Sequence, residues 1–319
     1  MKNVARISNA PRSENADVIK ELGKIREGLT TVLRGKNEVI ETILCALACQ
    51  GHVLLEDVPG VGKTTAIRAL AKLLGLQMSR IQCTSDLLPS DILGVEVYSQ
   101  QKDSFTFHKG PIFSSIVFVD ELNRCSPRPQ SALLEAMAEG SVTINRKVHS
   151  LGRPFIVFAT QNPAEFTGTY ALPESQLDRF AAKIKIGYPE REKEKQIFLD
   201  AKQDALAQVP ANVVSDGFVL ALEALAENIQ VSERLVNYAM RFVEDTRQHE
   251  AILAGVSTRG AVSWMRMAKA RALLEKRDYV IPDDLQALAM RVLAHRLVLK
   301  GSADAGTVLA EIQKQTPIE

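Results

Sequence analysis

The sequence predicts an α/β fold in two parts: a mostly parallel sheet covered by helices on both faces and carrying two β-hairpins, then an all-helical C-terminal part. Three observations carry this. Short apolar runs rich in Val, Ile and Phe alternate with amphipathic helical stretches up to residue 188, as buried parallel strands do. Past Gly187-Tyr188-Pro189 the chain turns to Ala, Leu, Glu and Lys at helical periodicity with no convincing strand. A length of 319 residues also leaves room for two domains of about 100–200 residues each.

In chain order, residues 1–15 are polar and are expected to be a flexible segment. Helices are predicted at 18–33 and 38–49, then a first strand at 52–55 that runs through a glycine-containing loop into a helix at 63–74. Further strands fall at 78–83, 116–119 and 155–159, with a weaker one at 183–186. Residues 95–98 and 105–107 flank a polar stretch, and 142–144 and Val148 flank Asn145-Arg146-Lys147; both read as hairpins added to the sheet. The helical part, 189–319, has periodic segments near 190–206, 215–228, 232–247, 258–275 and 282–297.

Composition narrows the function. Hydrophobic residues at 46% and charged ones at 24% are those of a folded globular chain. Lys plus Arg, 39, nearly cancels Asp plus Glu, 38, and aromatics are only 5%, so the usual footprint of a nucleic-acid binder is missing. The longest apolar run, 43–49, is far short of the ~20 residues that span a membrane, and no signal-like apolar stretch opens the chain. A cytoplasmic protein without a membrane partner is expected. The four cysteines form no C-x-x-C pair and read as free thiols.

The strongest chemical signal is Pro59-Gly60-Val61-Gly62-Lys63-Thr64-Thr65, set between a strand and a helix. Phosphates need backbone N–H groups, a helix N-terminus and a cation together. Gly60 and Gly62 let the backbone approach, Lys63 would reach the β- and γ-phosphates, and the Thr64 hydroxyl would hold Mg²⁺. The strict G-x-x-x-x-G-K-[ST] pattern wants glycine where this chain has Asp57. A second signal is the apolar strand ending in Asp120-Glu121: Asp120 fits a magnesium ligand, and Glu121 a base that orients and deprotonates an attacking water. A third is Gln161-Asn162-Pro163 after the 155–159 strand, which would lie beside the Asp-Glu strand, with Asn162 placed to hydrogen-bond the γ-phosphate or the water.

These segments, together with Gly110-Pro111-Ile112-Phe113, Asp120-Glu121-Leu122-Asn123-Arg124 and Leu172-Pro173-Glu174-Ser175-Gln176-Leu177-Asp178-Arg179-Phe180, closely resemble the MoxR family of AAA+ ATPases over roughly residues 20–300. The resemblance implies an AAA+ P-loop NTPase αβα sandwich at 16–188 and an α-helical lid at 189–319. Asp57 is similar to that family's own Glu-Asp-Val-Pro-Gly form of the Walker A loop. By the same resemblance Lys63 and Thr64 are Walker A, Asp120 and Glu121 Walker B, and Asn162 sensor 1. Arg179 is the arginine finger presented to the nucleotide on an adjacent subunit. Arg259 resembles sensor 2, which opens a lid helix and reaches back to the γ-phosphate; Thr258 and Gly260 stand where Pro and Ala are more usual, and Ser257 is suited to N-cap that helix.

The implied activity is Mg-dependent ATP hydrolysis, with ATP and Mg²⁺ bound, by a chaperone-like motor that matures or assembles protein complexes. A homo-oligomeric ring is implied, a hexamer by family precedent, with a partner bearing a von Willebrand factor A domain. The alternatives are a metal-chelatase motor subunit and a nucleotide-gated scaffold with negligible hydrolysis. The hairpins correspond to the clade's helix-2 and pre-sensor-1 inserts, and both a pore-facing role and plain decoration stand. Arg124 is open between the nucleotide interface and a helix cap, Trp264, Met265 and Met267 read as lid core, and His295-Arg296 resembles a family feature without a derived role.

Overall fold

The computed structural model describes residues 12–58, 60–101, 103–162, 169–200 and 204–317. Residues 1–11, expected to be frayed, lie outside these, as do Pro59 and Pro163. The described chain starts with α1 (Arg12–Val32), six residues ahead of its expected start, and α2 (Asn37–Ala48). Next come β1 (Val53–Glu56), α3 (Lys63–Leu74), β2 (Met78–Gln82), the short α4 (Pro89–Leu93) and the hairpin β3 (Gly94–Ser99) and β4 (Ser104–Lys109). β5 (Ile116–Asp120) and α5 (Pro127–Glu139) lead to a second hairpin, β6 (Ser141–Ile144) and β7 (Lys147–Ser150), and then to β8 (Ile156–Gln161), α6 (Glu174–Leu177) and β9 (Ala182–Ile184).

Five strands make one sheet in the order β2-β5-β8-β1-β9, every pairing parallel. The register pairs Val53 with Phe158 and Ile116 with Ile156, so strand ends line up at one edge. Period-2 alternation splits the strands between two cores. Val53, Leu55, Phe118 and Phe158 face α1, α2 and α3. Leu54, Val117, Val119 and Val157 face the side of Leu133 and Leu134 on α5. His52 locks the α5 side, its Nδ1 accepting from Val157 N–H at 3.0 Å and its Nε2 donating to Met137 O at 3.0 Å.

Both hairpins form, but neither is added to the sheet: each is a separate two-stranded unit. They pack instead on one another. Asn145 Nδ2 donates to Glu96 at 2.7 Å, and the His149 and Phe107 rings stand 4.5 Å apart. Most of their other apolar side chains, Val95, Val97, Tyr98, Phe105 and Val148, stay exposed.

The C-terminal part is α7 (Arg191–Leu199), α8 (Ala205–Gln208), α9 (Phe218–Glu227), α10 (Glu233–Gln248), β10 (Ile252–Ala254), α11 (Thr258–Leu274), α12 (Pro282–Leu293), β11 (Val298–Leu299) and α13 (Ala305–Gln315). Two expectations are corrected here. The part is not strand-free, since β10 and β11 pair antiparallel, and α13 is an extra helix beyond the last periodic segment. β11 has only two residues, below the length at which alternation is readable. Trp264 and Met267 are fully buried, with Trp264 Nε1 donating to Leu285 O at 2.8 Å. Their core is continuous with that of α1, α2 and α3. No described helix is long and apolar enough to cross a membrane.

Two predictions follow from burial. Asp284, with no exposed surface, accepts from Arg271 Nη1 at 2.8 Å, from Arg277 Nη1 and Nη2 at 2.7 and 2.6 Å, and from the Ile281 N–H at 2.9 Å. Asp284→Ala leaves two guanidinium groups without their shared partner and is expected to cost about 3 kcal/mol in urea unfolding. Burial also holds His52 neutral, lowering its pKa from 6.5 to about 4. Between these values the unfolded chain binds the extra proton, so stability rises with pH across that window and is level above it. Unfolding measured from pH 4.5 to 7 should lose about 1.4 kcal/mol of slope per pH unit in His52→Gln relative to wild type.

Candidate nucleotide site

The loop after β1 is shaped by two glycines. Gly60 and Gly62 have φ of +86° and +87°, a region costly to any residue with a Cβ. A Cβ at either would meet nothing within 4 Å, so the demand is conformational and the space beside the loop is open. Gly62 is the N-cap of α3, whose first N–H groups have no intrahelical partner and point at that space. Asp57, where the strict pattern has glycine, does not enter the left-handed region. Its carboxylate accepts from Val58 N–H at 2.8 Å and from Gly187 N–H at 2.5 Å, tying the start of the loop to the junction before the C-terminal helices. Lys63 Nζ donates to the loop's own carbonyls, Asp57 O at 2.6 Å and Val58 O at 3.2 Å. Burial lowers its pKa, against the opposing pull of Asp57, Asp120 and Glu121.

The carboxylates stand at the end of β5. Thr160, on neighbouring β8, does two things with one hydroxyl: it donates to Asp120 Oδ1 at 2.8 Å and accepts the Glu121 N–H at 2.7 Å. Glu121 itself has φ 58°, in the left-handed region, just past the end of the strand. Arg80 on β2 pairs with Asp120 Oδ2 at 2.6 Å. Gln82 donates to Glu121 Oε2 at 3.1 Å, and Arg124 lies 3.3 Å from the same oxygen. Arg124 therefore sits at the carboxylate. Asn162 is buried beyond β8, its carbonyl accepting from Asn123 Nδ2 at 3.4 Å.

Lys63, Thr64, Thr65, Asp120, Glu121, Thr160 and Asn162 line one cleft of about 350 Å³ with Gly60 and Gly62. Six of the expected side chains thus meet in one place. The donor set fits a magnesium nucleotide: hydroxyl and carboxylate oxygens, the hard donors magnesium takes, lie beside an ammonium and a helix N-terminus. Thr64 and Asp120 are the residues that could hold the metal.

A second cavity of about 520 Å³ shares Gly60, Gly62 and Thr65 with the first. Val61 lines it with Val32, Tyr188, Ile197 and Phe198, while Lys36 Nζ donates to Tyr188 O at 2.7 Å. An apolar chamber adjoining a phosphate cradle suits a planar base. Val61 was among the expected binding residues, but Val32, Lys36, Tyr188, Ile197 and Phe198, with Arg80, Gln82 and Thr160, escaped the sequence reading. The breaker at Gly187-Tyr188-Pro189 marked the junction, but nothing marked it as a cavity wall.

Arg179 and Arg259 lie elsewhere. They line a third cavity, about 290 Å³, with Ser263, Arg266 and Arg296, and no residue of the phosphate loop belongs to it. Arg179 Nη1 donates to Leu134 O, while its Nε is buried without a hydrogen-bond partner among the described residues. Ser257 does N-cap α11, accepting from Gly260 N–H at 2.9 Å. Arg259, expected to reach back to a γ-phosphate, lines the same cavity as Arg179 and not the cleft beside its own chain's phosphate loop. The cause is the packing of α11, which buries Trp264 and Met267 in the core shared with α2, Met267 Sδ lying 3.5 Å from Cys49 Sγ. Arg266 donates to Cys49 O at 3.0 Å, holding the exposed side of the helix in the same place.

Comparison with known proteins agrees with this geometry. Residues 52–182 match the ATPase family associated with various cellular activities (AAA), and residues 244–315 match the AAA lid domain. The uncharacterized protein YeaC of Bacillus subtilis is 46% identical over 91% of this chain and 91% of its own. Chaperone MoxR1 of Mycobacterium tuberculosis is 39% identical over 88% of this chain and 76% of its own. The crystal structure of a Cytophaga hutchinsonii protein described as a candidate ATPase superposes with a TM-score of 0.89 at 36% identity, covering 96% of this chain and 97% of that one. Similarity to the chloroplastic magnesium-chelatase subunit ChlI of Chlamydomonas reinhardtii is lower and shorter, 29% identity over 63% of this chain and 48% of that protein. With a parallel sheet feeding a phosphate loop, a C-terminal helical lid and such identity along nearly the whole length, the chain belongs to the MoxR family of AAA+ ATPases.

Proposed function

We propose that this protein hydrolyses ATP in the cleft between the phosphate loop and the end of β5, and does so as the motor of a chaperone-like machine. The observation that carries the reading is the meeting of Lys63, Thr64, Asp120 and Glu121 in one cleft. Magnesium, held by Thr64 and Asp120, would supply charge neutralisation on the β- and γ-phosphates. Lys63 exchanges the carbonyls of Asp57 and Val58 for phosphate oxygens. Glu121 orients the attacking water and takes its proton, which requires its carboxylate to leave Gln82 and Arg124. Asn162 orients the water or the γ-phosphate from the neighbouring strand. The chamber walled by Val32, Tyr188 and Phe198 takes the base.

Arg179 and Arg259 share a cavity apart from their own chain's loop. This supports a reading in which both serve the nucleotide of an adjacent subunit, in a head-to-tail ring. A hexamer, a partner with a von Willebrand factor A domain, a domain boundary at 188/189 and a cytoplasmic site of action belong to the same reading. The chaperone role leans on the relative named Chaperone MoxR1.

Steady-state ATP hydrolysis against protein concentration, with mass followed by light scattering, tests both halves. Specific activity is expected to rise as the protein assembles. Glu121→Gln should lose about 10²–10⁴-fold in kcat while still binding ATP. Arg179→Ala should lose about 10³-fold or more with its fold intact. Tight ATP binding with no hydrolysis in any assembled form would favour the nucleotide-gated scaffold.

A further inference from the structure

The His295-Arg296 pair follows α12, and Arg296, at the wall of the cavity that holds Arg179 and Arg259, is a buried cation with every nitrogen engaged. Its Nε donates to Val292 O at 2.8 Å. Its Nη1 donates to Asp178 O at 2.9 Å and to the Asp178 carboxylate. Its Nη2 donates to Phe180 O at 2.6 Å. His295 Nε2 donates to the same Phe180 carbonyl at 3.1 Å, and burial and the Arg296 charge push its pKa down to about 3, so the ring is neutral. Ser257, the N-cap of α11, adds donation to both Asp178 carboxylate oxygens at 3.2 and 3.1 Å.

The residues gripped are those on either side of Arg179. Asp178 is held by carbonyl and carboxylate, Phe180 by carbonyl, and all the gripping side chains come from the C-terminal helices. Among the described residues, Arg179 itself is left with a donation to Leu134 O and an unpartnered Nε, in the cavity it shares with Arg259. Gly260 makes room for the arrangement, since a Cβ there would stand 2.9 Å from Arg296 Cδ. A buried guanidinium is tolerated only when its donors are all satisfied. Here the satisfying acceptors are the backbone that aims another arginine.

We infer that Arg296, with His295 and Asp178, is a positioning device for Arg179: the lid fixes the backbone on both sides of the finger and so sets where its guanidinium meets the adjacent subunit's nucleotide. The inference rests on the proposed trans-acting ring ATPase. Misplacement of a reacting group by about 1 Å costs on the order of 10²-fold in rate, so loosening the grip acts on kcat and spares the subunit's own ATP binding.

The test is subunit mixing. Arg296→Lys keeps the charge and loses the forked donation to two carbonyls. Alone, it is expected to assemble as wild type by light scattering, to keep KM for ATP within about twofold, and to lose about 10–100-fold in kcat. Mixed with Glu121→Gln, which cannot hydrolyse but carries a correctly held Arg179, the Arg296→Lys subunits should regain activity. Unchanged kcat, a change in KM alone, or no recovery on mixing overturns the inference. If thermal unfolding and circular dichroism show that Arg296→Lys does not fold, Asp178→Asn is put through the same mixing with the same criteria. Absence of hydrolysis by the wild type, or full activity in Arg179→Ala, instead overturns the trans-acting ring reading and this inference with it.

Discussion

Everything at the nucleotide cleft depends on the parallel pairing of β1, β8 and β5. Because their registers align, the strands end at one edge, and a loop after β1, a carboxylate pair after β5 and an asparagine after β8 are brought within one cleft. Parallel strands have their carboxyl ends on the same side only because helical crossovers return the chain each time. The Thr160 hydroxyl then converts proximity into geometry, holding the Asp120 carboxylate with one bond and the Glu121 backbone with the other.

A second constraint is the way the C-terminal helices are anchored. Asp57 ties the phosphate loop to Gly187, at the junction where those helices start. Arg296, His295 and Ser257 tie the same helices to Asp178 and Phe180, on the far side of β9. The helical part is therefore anchored both at the loop after β1 and at the segment that carries Arg179.

Arg259 shows how packing decides where a local motif is presented. Local sequence placed it correctly at the first turn of a helix capped by Ser257. The direction of that helix was decided by Trp264, Met267 and Ala268, which need a core and find it continuous with α2. The third cavity thereby collects Arg179, Arg259, Arg266 and Arg296, a concentration of positive charge with one carboxylate, Asp178, among its lining residues.

The sequence by itself determined the parallel sheet, the phosphate loop, the carboxylate pair and the order in which they come, because each is a local pattern. Apolar runs specify buried strands, Gly60 and Gly62 specify a turn open to phosphate, and Asp120-Glu121 closes a strand with charge. The hairpins were legible as hairpins for the same reason, though not their docking on one another, which rests on the Glu96 to Asn145 bond and the Phe107 to His149 contact. Only the tertiary structure decided which residues from separate stretches share a wall: Val32 with Tyr188 and Phe198, Gln82 with Glu121, and Arg296 with the carbonyls around Arg179. These contacts join positions tens to over a hundred residues apart. No local period records them, since hydrophobic burial selects which faces meet and leaves the polar partners to follow.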